Sequence, residues 1–266
     1  MNYLRPALFG LVGAMVAGGC GSDAAPTGAV ERPTGAGDVV VQVLVDGGLL
    51  RQEEALAIVP RATVLGDGTV VTPAPVLAIY PGPALAPLQS AKVDAATVDG
   101  LVRRAWELGL LDGPLEFGQP GLADASNTTV TIVAGGLAHR QVAYSLGFAD
   151  ETVGGANRLA LKSFVAAVQA LTPGSQAWEP TAVVARVAGA YQPEPQLPQT
   201  PVPWPIARVP VASGAGVPCL VVEGDDLRAL RVALAKANAR TPWVIAGVAR
   251  SVVFVPAVPG APTCPA

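Results

Sequence analysis

The sequence predicts an α+β fold of two strand–helix–hairpin units, each an antiparallel sheet with helices packed on one face. Three observations lead there. Val98, Leu101, Val102, Ala105 and Leu108 form an apolar stripe of period 3.6 on a helix from about Asp94 to Gly109. Two alternating runs rich in Thr and Val follow, Thr128 to Ala134 and Leu137 to Leu146, and Gly135-Gly136 between them supplies the positive φ of a two-residue hairpin turn. The same order of strand, helix and hairpin returns near the C-terminus. Neither the stripe nor the hairpin can leave its apolar face wet, so helix should lie across sheet.

The first residues read as a processing signal. Arg5 is a short positive region, and Ala7 to Gly19 is an apolar core of signal-peptide length rather than of the roughly 20 residues a membrane span needs. Ala17-Gly18-Gly19 places small residues directly before Cys20, whose thiol is the atom that takes diacylglycerol in a bacterial lipobox. The segment resembles that motif, with Ala17 where Leu is commoner. The resemblance implies a lipidated Cys20 on the extracytoplasmic side of the cell membrane; a plain cleaved signal peptide and an uncleaved anchor are the alternatives. Residues 20–37 would then be lipidated cysteine and flexible tether, since Gly21 to Gly37 carries few large side chains to bury.

The N-terminal unit is expected over residues 38–175. Asp38 to Asp46 reads as a strand, and Ala55 to Val59 and Ala62 to Leu65 as short strands broken by Pro60. Gly66-Asp67-Gly68 marks a tight turn into Thr69-Val70-Val71, with Asp67 there for turn geometry. Pro73 to Pro87 is too rich in proline for a helix or central strand; Leu77, Ile79, Tyr80 and Leu85 suggest an extended segment pressed onto the core. Tyr80 is either packing or part of a binding groove. Asp94 is the candidate N-cap of the first helix. The irregular connection from Asp112 to Asn127 offers Glu116, Phe117 and Asp124 as a possible binding surface, because binding residues tend to sit on loops over a rigid scaffold; a solvated connection pinned by Phe117 and Leu122 is the plainer reading. A second helix, Asn157 to Leu171, carries Leu161, Phe164, Val165, Val168 and Leu171 inward and stops at Thr172-Pro173-Gly174.

Residues 176–266 form the second expected unit. It holds a strand at Thr181 to Ala188 and a Pro-rich surface connector from Gln192 to Pro205. A strand at Val217 to Val222, a helix from Gly224 to Ala239 and a hairpin from Trp243 to Val255 around Gly247 complete it. Asp225 and Asp226 early in the helix and Arg231, Lys236 and Arg240 later complement its dipole. With Cys20 lipidated, Cys219 and Cys264 remain, and outside the cytoplasm they would pair or else stay as buried thiols.

Charge and composition exclude several functions. A net charge of −3 with both signs interspersed lacks the basic stripe that nucleic acid requires. His139 is the sole histidine, so multi-histidine zinc or iron sites are ruled out. There is no G-x-S-x-G elbow, Walker loop or G-x-G-x-x-G after a strand, and no cofactor is expected. Paired carboxylates such as Glu116 with Asp124 keep a cell-wall hydrolase open as an alternative.

LGDGTVV at 65–71, ELGLLD at 107–112 and FGQPGLADASNTTVTI at 117–132, with KANARTPWVIAG at 236–247 and VVFVPAVPGAPTC at 252–264, resemble uncharacterised lipoproteins of actinobacteria. The resemblance spans most of the mature chain and implies an envelope lipoprotein without adding a site. Its expected partners are the membrane, through the lipid, and an envelope protein or wall component. Element order is also loosely similar to PepSY and beta-lactamase-inhibitor modules, which bind proteins. A non-catalytic binding or scaffold protein of the envelope is the leading expectation, and an inhibitor or adaptor module the next.

Overall fold

The computed structural model describes residues 30–171, 175–214, 216–261 and 263–264. Cys20 with its signal segment and the Thr172-Pro173-Gly174 helix stop lie outside them. The fold is α+β, but it is not a pair of strand–helix–hairpin units.

The first sheet is antiparallel throughout, in the order β6-β5-β1-β2-β3-β4-β7. Its strands are β1 (Val39–Gly47), β2 (Ala62–Leu65), β3 (Thr69–Pro73), β4 (Leu88–Lys92), β5 (Ser126–Ala134), β6 (Leu137–Tyr144) and β7 (Gln176–Trp178). Helix α1 (Gln52–Leu56) lies between β1 and β2, where a strand was expected from Ala55. Gln, Glu, Ala and Leu are good helix formers, and the Glu54 carboxylate accepts from the Arg51 backbone N–H at 3.1 Å, which closes the first turn.

Helices α2 (Ala95–Glu107) and α4 (Gly155–Gln169), the latter preceded by the single turn α3 (Asp150–Val153), cover one face of this sheet. Asp94 caps α2 by accepting from Thr97 N–H at 2.8 Å. Val98, Leu101, Val102 and Ala105 meet Leu161, Phe164 and Val168 over Val41, Val43, Val130 and Ile132. Gly135 and Gly136 turn the β5–β6 hairpin at φ 57° and 73°.

The second sheet is mixed, in the order β10-β8-β12-β11-β9. It comprises β8 (Ala182–Ala190), β9 (Val202–Pro203), β10 (Cys219–Glu223), β11 (Pro242–Ile245) and β12 (Val248–Pro256), with α5 (Gly224–Leu234) packed on it through Leu227, Leu230 and Leu234. Two findings correct the predicted fold. The Pro-rich connector contributes β9, which pairs parallel to β11; proline lacks an N–H, so such a strand is confined to a sheet edge. The pairings also differ between the halves: β1 takes the first strand of its hairpin, β5, whereas β8 takes the second, β12. Like element order therefore hides unlike topology.

The expected boundary at 175/176 is also crossed. β7 pairs with β4, so the chain adds a strand to the first sheet before entering the second. Gln42 donates to Pro259 O at 2.9 Å, and Val258 packs on Val71 and Leu88, so the C-terminal segment lies on the face of the first sheet opposite the helices. Val59 touches the small apolar clusters on both sheets.

Residues 30–37, placed in the tether by composition, lie on the N-terminal half. Arg32 Nε is 2.6 Å from Asp99 Oδ1, Arg32 Nη1 donates to Gly66 O, and Gly135 N–H donates to Glu31 O at 2.7 Å. A Cβ on Gly66 would stand 2.6 Å from the Thr34 backbone, so only glycine permits this approach.

Candidate functional site

The strands of the first sheet end in two kinds of connection. At one pole lie the tight β2–β3 and β5–β6 turns, together with the incoming residues 31–35. At the other, β1 ends at Gly47 opposite Ser126 and β3 ends at Pro73 opposite Leu88. Two long connections leave this second pole, residues 48–61 with α1, and residues 74–87. Nine residues of strand at about 3.3 Å each put roughly 30 Å between the poles.

The 74–87 segment is held against the second sheet. Ala239 N–H donates to Gly82 O at 2.9 Å, Pro83 bridges Asn238, and Leu85 bridges Phe254 in parallel fashion. Between this strap, α1 and β12 runs a groove of about 320 Å³. Val76, Ala84, Ala86, Val252 and Phe254 give it an apolar lining, and the Phe254 ring is fixed from behind by Trp243 in an edge contact at 5.1 Å.

Charges crowd the rim. The Tyr80 hydroxyl donates to Glu194 Oε1 at 3.0 Å, and Arg240 Nη2 lies 2.6 Å from the same oxygen. Arg240 Nη1 is 4.0 Å from Glu53 of α1. Strap, Pro-rich connector, the loop after α5 and α1 thus converge on one arginine. Beside them Arg51 pairs with Glu54 at 2.6 Å, which raises the Arg51 pKa and holds the Glu54 carboxyl below its ordinary value.

The strap is not pressed onto the core as its apolar residues suggested. Leu77 is 79% exposed, Ile79 63% and Tyr80 61%, while Leu85 alone of the four packs inward. Leu49 and Leu50, next to the N-terminus of α1, are exposed as well. The reason is the clamp: Tyr80 is held outward on Glu194, and the strap spans two sheets instead of lying in one.

The other candidates fall elsewhere. Glu116 lines an open cleft of about 530 Å³ beside β6, with Asn127, Arg140 and Tyr144. Phe117 belongs to the main core at 4% exposure, and its carbonyl accepts from Arg158 Nη1. Asp124 lies outside the lining of that cleft, with φ 55° and its carbonyl accepting from Leu49 N–H. Tyr80 and Glu116 therefore belong to two separate surfaces.

Cys219 and Cys264 form a disulfide, which ties the C-terminal segment to β10. Arg51, Glu194 and Phe254 carried no signal in the sequence, and Arg240 was read there only as a complement to the dipole of the C-terminal helix. Tyr80 and Glu194 are 114 residues apart, and only the tertiary fold joins them. Among the described residues no cluster of three or more His, Cys, Asp or Glu could hold a metal ion, and no helix is long and apolar enough to cross a membrane.

Comparison of the chain with protein-family models, with curated proteins and with solved structures finds no match in any of the three.

Proposed function

We propose that the protein is a lipid-anchored, non-catalytic interaction protein on the extracytoplasmic side of the bacterial envelope, and that its working surface is the pole formed by residues 48–57 and 74–87. One observation carries the surface. Val76 and Tyr80 line the groove, and Leu49, Leu50, Leu77 and Ile79 are exposed on the same two connections that supply its wall, so six large exposed hydrophobics sit on two neighbouring segments. Scattered single apolar residues are ordinary on a surface, whereas a concentration of this kind marks a contact site.

The anchor rests on Cys20 and the small residues before it. The Cys219–Cys264 disulfide is in keeping with an oxidising compartment. Residues 31–35 enter at the pole opposite the groove, so a chain fastened at Cys20 presents the apolar face away from its anchor.

Metabolic labelling with an alkyne-bearing palmitate, followed by cell fractionation, tests the anchor. Wild type should carry the label and sediment with membranes, and Cys20→Ala should do neither. Equal labelling of both forms, or wild type in the cytosol with Cys219 and Cys264 reduced, overturns the reading.

A further inference from the structure

We infer that the groove at this pole is filled by the strap of a second copy of the chain, in a two-fold contact where Leu77 and Ile79 of each copy enter the groove of the other. The inference rests on reading this pole as an interaction surface, and not on lipidation of Cys20.

The patch carries both halves of such a contact. Val76 and Tyr80 line the groove, whereas Leu77 and Ile79, one and three residues along the same strap, lie outside the lining and are largely exposed. A protrusion beside a recess on one surface is self-complementary, which is what an isologous interface requires: residue i meets j, and j meets i. The volume agrees. At about 320 Å³ the groove stands at the low end of small-molecule pockets and suits a pair of aliphatic side chains.

Charge argues for the same occupant. The rim presents Arg51, the N-cap of α1, beside Glu53 and Glu54 of that helix, all partly or well exposed, and within one copy Arg51 already pairs with Glu54. A uniformly charged ligand would meet as much repulsion as attraction there. A second copy related by a two-fold axis can exchange this surface pair, Arg51 of each copy turning from its own Glu54 to the acidic pair of the other, and complementary potentials favour the correct register. A bilayer is the poorer fit, since the charged rim of Arg51, Glu53 and Glu54 would be drawn from water together with the apolar strap. The ten residues from Cys20 to Val30 can span at most about 35 Å, enough for two chains on one membrane to lean together.

The test places a photoreactive amino acid at Ile79 of the full-length chain and irradiates intact membranes. The expected adduct has twice the mass of one chain, and peptide mapping joins position 79 to a groove residue such as Ala86 or Val252 of the other copy. Leu77→Asp, at an exposed site that leaves folding intact, should reduce that adduct at least tenfold, and a probe at Leu159 on α4 should give none. An adduct with a different protein or with lipid, or no adduct at all, overturns the second-copy inference. The different-protein result leaves the pole an interaction surface, so failure of the inference and failure of the proposed function are told apart.

Discussion

Arg158 Nε lies 2.9 Å from Asp150 Oδ1, and both side chains are withdrawn from water. The guanidinium also donates to the carbonyls of Phe117, Tyr144 and Ser145 at 3.2, 3.0 and 2.6 Å. One arginine therefore collects the Asp112–Asn127 connection, the end of β6 and the loop before α3. Removing one member of a buried ion pair strands the other, at a cost of about 3–5 kcal/mol. Arg158→Met should lower unfolding stability by that amount in a urea titration. A loss below about 1 kcal/mol would mean that the three loops are held by packing alone.

Acid should act through the same pair. Burial pushes the Asp150 carboxyl up, but the Gly147 N–H, Lys162 and Arg158 outweigh it and leave the pKa below the ordinary value. A carboxyl with a depressed folded pKa contributes stability that is complete above its unfolded pKa, about 3.9, and is lost as pH falls through the folded one. Asp67 and Asp94 are lowered too, by partners that include Lys92 and Thr97. Stability should thus decline below about pH 4, and Asp150→Asn should flatten that decline while lowering stability at pH 7. Identical pH profiles for wild type and Asp150→Asn would contradict the assignment.

What periodicity could carry, the sequence showed. The α2 stripe, its Asp94 cap and the Gly135-Gly136 hairpin are local patterns, and each stands where expected. What it could not carry was set by distant chain. α1 is too short for a helical period, so its last residues, Ala55 and Leu56, passed for the start of a strand. Val202-Pro203 has no alternation to announce a parallel edge strand. Leu77 and Ile79 looked like core because hydrophobicity predicts burial only where a second surface is available, and at the strap none is. Arg158, on the apolar side of α4, had no signal in its own helix; its partners are carbonyls supplied by three other segments. In the candidate site the sequence left Tyr80 open between packing and a groove, and Glu194 and Arg240, which fix its position, were not linked to it.

The Cys219–Cys264 disulfide closes a loop of 45 residues. Cross-linking a loop of that length removes entropy from the unfolded chain equivalent to about 4 kcal/mol. Cys219→Ser with Cys264→Ser should lower the unfolding free energy from a urea titration by roughly that amount, and the C-terminal segment bearing Val258 should gain amide exchange ahead of the helices. Unchanged exchange at 257–261 would show that Gln42 and the apolar contacts hold that segment without the bridge.

Gln141, on β6 and almost wholly buried, makes three hydrogen bonds to one stretch of chain. Its amide donates to Leu110 O and Gly113 O at 2.8 and 2.7 Å and accepts from Leu115 N–H at 3.0 Å. Replacing it by Leu leaves those backbone groups without partners, each orphan costing about 1–3 kcal/mol where water cannot reach. Gln141→Leu should therefore destabilise by at least about 2 kcal/mol and loosen residues 110–115 in hydrogen exchange. Gln141→Glu keeps the acceptor but loses both donors, so it should recover little of the loss.

Arg32 decides where the tether ends. Its side chain is 7% exposed, paired with Asp99 of α2 and bonded to Gly66 O, so the chain is fixed to the fold from about residue 31 onward. Hydrogen bonds to charged groups contribute about 1.5–3 kcal/mol each, enough to keep a segment of few apolar contacts docked. Limited proteolysis of the wild-type chain should trim the N-terminus no further than about residue 30. In Arg32→Ala the cleavage should run on into residues 31–37, and Asp99→Ala should reproduce it, because each change removes one end of the same contact. Trimming that stops at the same residue in all three proteins would place the hold instead on the Glu31–Gly135 backbone bond and the close fit of Thr34 over Gly66.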